Sequence, residues 1–125
     1  MFQGRINMKR DMDLIREILL AIESEDHGFA PKIEIPGYTE EQIDYHAYLL
    51  GEAGLAKVCD VTHQGSKSPE AMISCLTWSG HEFLDSAREN NRWNQAKDMI
   101  KKIGGASIEI WGSLLADLMK KSLGL

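Results

Sequence analysis

The stretch "GYTEEQIDYHAYLLGEAGL", residues 37–55, decides the fold. Thr39 and Gln42 stand at capping-box spacing, in which a hydroxyl and a side-chain amide satisfy each other's free backbone N–H groups. Gly54 is placed to end the helix in a left-handed conformation. Between them Ile43, Ala47 and Leu50 recur at helical spacing, so the segment predicts a helix over residues 39–53 with one apolar line. His46 and Ala53 fall at the margin of that line, with His46 leaning inward. The opposite face carries Glu41, Asp44, Tyr45, Tyr48 and Glu52, and no lysine or arginine occurs between Lys32 and Lys57.

The flanking sequence builds outward from this helix. Before it, "DMDLIREILLAIES" (11–24) repeats Leu14, Ile18 and Ile22 at four-residue steps beside Ile15 and Leu19. Asp11 is its N-cap, and Arg16, Glu17 and Glu23 are directed away from the stripe. "KIEIPG" (32–37) alternates and predicts a short strand that stops at Pro36-Gly37. After the central helix, "LAKVCDVTH" (55–63) and "AMISCLT" (71–77) form an antiparallel hairpin around the polar tip "QGSKSPE". Thr77 caps "WSGHEFLDSAREN", whose core contacts are Trp78, Phe83 and Leu84, and Asn90-Asn91 breaks it. "RWNQAKDMIKKI" continues as a helix with Trp93, Ala96 and Ile100 inward, and Gly104-Gly105 ends it. Ser107 opens a last helix whose seam is Ile108, Trp111, Leu115 and Leu118.

Helices and strands segregate, with no βαβ repeat, so the fold class is α+β. The order helix, strand, helix, hairpin predicts a winged helix with additional C-terminal helices. Residues 1–7 read as an N-terminal extension, 8–103 as the winged-helix domain, and 106–125 as a C-terminal packing or dimerisation helix.

Three segments carry a family resemblance: "MKRDMDLIREILLAIE" (8–23), "GYTEEQIDYHAYLLGEAGL" (37–55) and "LTWSGHEFLDSARENNRWNQAK" (76–97). Together they resemble the short winged-helix proteins of bacteria and their prophages that are carried as a domain of unknown function. The resemblance implies a fold and a prophage-linked setting, and no catalytic residues. One departure from ordinary winged helices stands out. Only residues 25–38 separate the first two predicted helices, so the usual middle helix is short or absent.

Composition limits what such a chain can do. With 125 residues it buries one core without disulfides, and its formal net charge of −5 disfavours non-specific attraction to phosphate or anionic lipid. No apolar run approaches the ~20 residues that span a bilayer, so the expectation is a cytoplasmic protein without membrane contact. Cys59 and Cys75, the two cysteines, then read as reduced thiols. Were the hairpin to turn near Lys67, they would be cross-strand neighbours. Cys59, His63, Cys75 and His81 can be written as a zinc set, but their spacing lacks the tight ligand pairs of structural zinc sites, and no metal or cofactor is expected. His81 beside Ser79 and Glu82 lacks the oriented base that nucleophilic catalysis needs. There is no glycine-rich phosphate loop and no H-E-x-x-H motif. The chain therefore reads as a binding protein rather than an enzyme.

Two binding classes follow. The first is a regulatory or adaptor protein that contacts a protein partner through Glu41, Asp44, Tyr45 and Tyr48. The second is a DNA-binding transcriptional regulator, with contacts from Gln42, Lys67, Lys9 and Arg10. Charge favours the first, because a duplex carries one negative charge per ~1.7 Å of axis and repels an anionic helix face. Residues 11–87 hold four basic and fifteen acidic side chains. A basic patch where the N-terminus meets Lys97, Lys101 and Lys102 reads as a solvated helix face. The seam of Ile108, Trp111, Leu115 and Leu118 must be covered, and it leads to the expectation of a homodimer.

Overall fold

Helix α1, Met12–Glu23, begins where the Asp11 side chain accepts the amides of Asp13 and Leu14. The computed structural model describes residues 7–125, so six residues of the expected N-terminal extension lie outside it. Leu14, Ile15, Ile18, Leu19 and Ile22 are buried along one side of α1, as their spacing requires. Helix α2, Glu40–Glu52, starts with the expected capping box and buries Ile43, His46, Ala47 and Leu50. Gly54 takes a positive φ of 74° beyond its end.

Strands β1, Ala56–Asp60, and β2, Ala71–Leu76, form a two-stranded antiparallel sheet against which α2 packs. Helix α3, Trp78–Ala87, is capped by Thr77, whose hydroxyl accepts the Gly80 amide and donates to the Gly54 carbonyl at 2.6 Å. This brings the first turn of α3 against the end of α2, and a Cβ on Gly80 would stand 1.9 Å from the Leu55 carbonyl oxygen. The glycine of "LTWSG" is thus required by packing. Helices α4, Asn90–Lys101, and α5, Ile108–Ser122, complete the chain, capped by Glu89 and Ser107. A single cluster of buried apolar side chains runs from Leu14 to Leu118. The architecture is α+β: five helices and one two-stranded sheet among the described residues.

Several local expectations change. "KIEIPG" is not a strand: the segment meets β2 through the Ala30 amide and the Ser74 carbonyl (2.8 Å), and Pro31, with no N–H, cannot extend a ladder. Ile33 and Ile35 still face the core while Lys32 and Glu34 are exposed. Trp78 is 80% exposed rather than core, because Phe83, Leu84 and Ala87 already fill the inward side of α3. The break between α3 and α4 falls at Arg88-Glu89, where the Glu89 carboxylate accepts the amides of Asn91 and Arg92. Cys75 pairs with Lys57 and Cys59 with Met72, since a register shift at Lys57/Val58 separates the thiols.

Arg16 is the largest departure. Expected outside, it is 8% exposed and donates to the carbonyls of Ala87 and Arg88 and to Asn90 Oδ1, each at 2.7 Å. These bonds close the C-terminal end of α3, where free carbonyls need donors. Its guanidinium lies 5.5 Å from the Trp93 ring centroid.

Candidate functional site

The outward side of α2 is acidic because its first turn and its last both carry carboxylates. Glu40 and Glu41 stand at the N-terminal end, where the helix dipole favours negative charge. Glu52 stands near the opposite end, with no basic residue in that turn. The Ser68 hydroxyl, from the hairpin tip, donates to Glu41 Oε2 at 2.6 Å. Lys32 reaches Glu40 at 3.9 Å between two exposed side chains. Among the described residues no lysine or arginine pairs with Glu41, Asp44 or Glu52. Partial burial, followed by the nearby charges of Glu40 and Glu70, raises the Asp44 carboxyl above its ordinary range.

Tyr45 and Tyr48 are half-buried on this side of α2. Their rings stack with centroids 6.4 Å apart and planes 10° apart. Tyr45 also meets the His46 ring edge-on at 5.9 Å. The four residues expected to form a protein-contact surface thus share about two turns of helix, with two stacked phenols beside two carboxylates.

His46 has a different part. It is 2% exposed, its Nδ1 lies 2.8 Å from the Gln42 carbonyl, and its Nε2 accepts the Asp11 amide at 2.9 Å. That acceptor role leaves the proton on Nδ1, which donates to Gln42. Burial holds the imidazole below its ordinary pKa against the opposing pull of the Gln42 carbonyl. The ring joins α2 to the start of α1 and has no nitrogen free for a ligand. Asp11 is held from a second side by the Tyr38 hydroxyl at 3.0 Å, and burial together with that bond pushes the Tyr38 phenol up to about 12.

The residues expected on DNA do not assemble as one surface. Lys9, Arg10 and Gln42 line a groove of about 860 Å³ together with Lys97 and Lys101. Lys67 lies elsewhere, at the hairpin tip, in a shallow hollow shared with Glu40, Glu41, Asp44 and Glu70. Lys97 and Lys101, though not Lys102, thus meet the N-terminal segment in a concave groove rather than on a plain solvated helix face.

The seam expected to mediate dimerisation packs within the single chain. Trp111, Leu115 and Leu118 are 5%, 0% and 6% exposed within the single chain, and Ile108 is half-buried. Trp111 stacks on Trp93 at 4.6 Å. These side chains pack on the chain's own core and hold α5 to the body. Sequence reading also missed the network around Trp93, whose Nε1 donates to Asp13 Oδ1 while Lys97 donates to Asp13 Oδ2, both at 2.8 Å. Burial alone would raise the Asp13 carboxyl, but the bonds from Lys97 and Trp93 hold it below its ordinary value. One signal was available: Met12, Arg16 and Leu20 recur at four-residue steps, which puts Arg16 on the border of the apolar stripe.

The family described as hypothetical protein (DUF2513) matches residues 9–107, a span from the start of α1 to the turn before α5. The chain belongs to that family. It is also 40% identical over 96 residues to an uncharacterized protein of Haemophilus influenzae, covering 75% of this chain and 80% of that one. No solved structure matches the chain. Among the described residues no helix is long and apolar enough to cross a membrane.

Proposed function

We propose that this chain is a winged-helix protein that works by binding, with the outward side of α2 as a protein-contact surface. Tyr45 and Tyr48 supply its contact area, and Glu41 and Asp44 border them. The topology reading is supported by the order of α1, the extended segment 30–35, α2 and the hairpin. The Ala30-to-Ser74 bond places that segment on the free edge of β2, where a winged helix has its first strand. A regulatory or adaptor role, in the prophage-linked setting that the three motifs suggest, is compatible with such a surface.

The observation that carries the functional part is electrostatic: among the described residues Glu41, Asp44 and Glu52 make no salt bridge, and acids outnumber the nearby Lys32 and Lys67. A helix presented to a duplex in this state meets repulsion from the phosphates. Stacked tyrosines with polar tips are, by contrast, a common element of protein interfaces. The DNA-binding alternative draws on Lys9, Arg10 and Gln42 in one groove, but Lys67 on the hairpin stands among carboxylates.

The test is affinity purification from nuclease-treated host extract with the wild-type chain and with Tyr45→Ala/Tyr48→Ala, both first shown to unfold cooperatively. The expected result is a protein retained by the wild type and lost by the double variant. Retention of nuclease-sensitive material alone, unaffected by the double variant, overturns the reading.

A further inference from the structure

The groove between the N-terminal segment and α4 is lined by residues other than Glu41, Asp44, Tyr45 and Tyr48, the α2 contact surface just described. Its walls are Lys9 to Asp13 on one side and Lys97, Asp98 and Lys101 on the other, with Gly104 to Ala106 closing one end and Gln42 contributing from α2. A groove of about 860 Å³ lies within the ~300–1,000 Å³ of ordinary ligand sites. Two of its carboxylates are already committed. Asp13 accepts from Trp93 and Lys97, and Asp11 accepts two backbone amides and the Tyr38 hydroxyl.

The cations are less engaged. Among the described residues Lys9, Arg10 and Lys101 make no salt bridge, and Arg10 spends one nitrogen on the Ala106 carbonyl at 3.1 Å. Arg10 is thereby held across the mouth of the groove, with its remaining donors available. Lys97 and Asp13 neutralise each other, while Asp11 takes only neutral donors, so the remaining charges are three cations against Asp11 and Asp98. This sits in a molecule of net charge −5, whose acid face lies on α2 and the hairpin tip.

We propose that this groove binds an acidic, extended peptide segment of a protein partner. Carboxylates of the peptide would meet Lys9 and Arg10 on one wall and Lys101 on the other, while its backbone amides would meet Asp98. The mixed lining decides the class. A nucleic acid carries a phosphate at every step, so its backbone sets unbroken negative charge against Asp11 and Asp98 as well as against the cations. A peptide brings backbone donors and acceptors in alternation and is charged only where its side chains are acidic, so it can satisfy cations and carboxylates in one groove.

The test is a 15N NMR titration of the full chain with a capped hexaglutamate peptide, and in parallel with capped hexalysine and a short DNA duplex. Saturable shifts are expected at residues 9–13, Gln42 and 97–106, with a Kd on the order of 100 μM, near the middle of the weak range. Lys101→Glu and Lys9→Glu, both at exposed positions, should each weaken binding at least about fivefold, a difference of about 1 kcal/mol. Lys120→Glu makes the same charge change on exposed α5 surface outside the groove and should leave the affinity within about twofold. Shifts centred on Tyr45, Tyr48 or the hairpin tip, equal weakening by all three variants, or tighter binding of the duplex or of hexalysine would each overturn the proposal. Since none of the groove variants touches Tyr45 or Tyr48, failure here leaves the α2 surface reading to its own test.

Discussion

Asp13 and Asp44 are both partly buried aspartates, 31 residues apart, and the protein treats them oppositely. Asp13, at the meeting of α1, α4 and α5, receives the Trp93 indole and the Lys97 ammonium and is held in its charged form. Asp44, on α2, makes no salt bridge among the described residues, and burial and its acidic neighbours push its carboxyl up against the smaller pull of Lys32. The junction around Asp13 is finished: Arg16 closes α3, Trp93 stacks on Trp111, and every buried side-chain polar atom among the described residues has a partner. The α2 side has an excess of carboxylates over cations and aromatic rings half out of the core. Matched groups stabilise a fold, whereas unmatched groups on a well-capped helix cost stability and are more readily explained by a contact with another molecule.

That contrast breaks first if the junction turns out to be expendable. Trp93→Ala removes the largest fully buried side chain and frees Asp13, and it should cost about 4 kcal/mol in denaturant unfolding, or abolish the cooperative transition. A loss under about 1 kcal/mol would show that the stacked indoles are not the keystone of the α4–α5 packing. Arg16→Met keeps the apolar stem but strands the Ala87 carbonyl, and should cost about 2 kcal/mol by the same measurement.

His46 sharpens the contrast through pH. Its folded pKa is depressed, so the neutral ring contributes stability that is fully present above the ordinary value of ~6.5 and is lost as pH falls through the lower folded value. Protonation would set a donor on Nε2 against the Asp11 amide. Thermal stability should therefore decline on acidification below about pH 6.5, with a shallower decline in His46→Gln. Identical profiles would remove the ring from the link between α1 and α2. The smallest effect is expected on the α2 side, where Asp44→Asn should change stability by no more than about 0.5 kcal/mol, with a gain favoured because the raised carboxyl is already strained by its neighbours.

Local sequence chemistry made most of this architecture legible. Asp11, Thr39, Thr77 and Ser107 each cap the helix expected of them, because a cap is decided within three residues. The α2 acid face could be read for the same reason, since helical periodicity fixes which side chains share a side. What escaped depends on distant chain. Arg16 finds its acceptors more than 70 positions away, and no local pattern marks a helix end that will need a donor. The α5 seam showed correctly that it must be covered, but periodicity does not say by what. The partner was Trp93 of the same chain. Likewise the basic ends of the sequence were visible as charge, while their concavity depends on tertiary packing of the N-terminal segment, α2 and α4.

The claim on which the functional account stands is that α2 presents uncompensated negative charge, and a fluorescence titration of the wild-type chain against duplex DNA at physiological salt addresses it directly. The account predicts binding weaker than ~100 μM, at the feeble end of non-specific affinity. Submicromolar binding that falls steeply with added salt would contradict it.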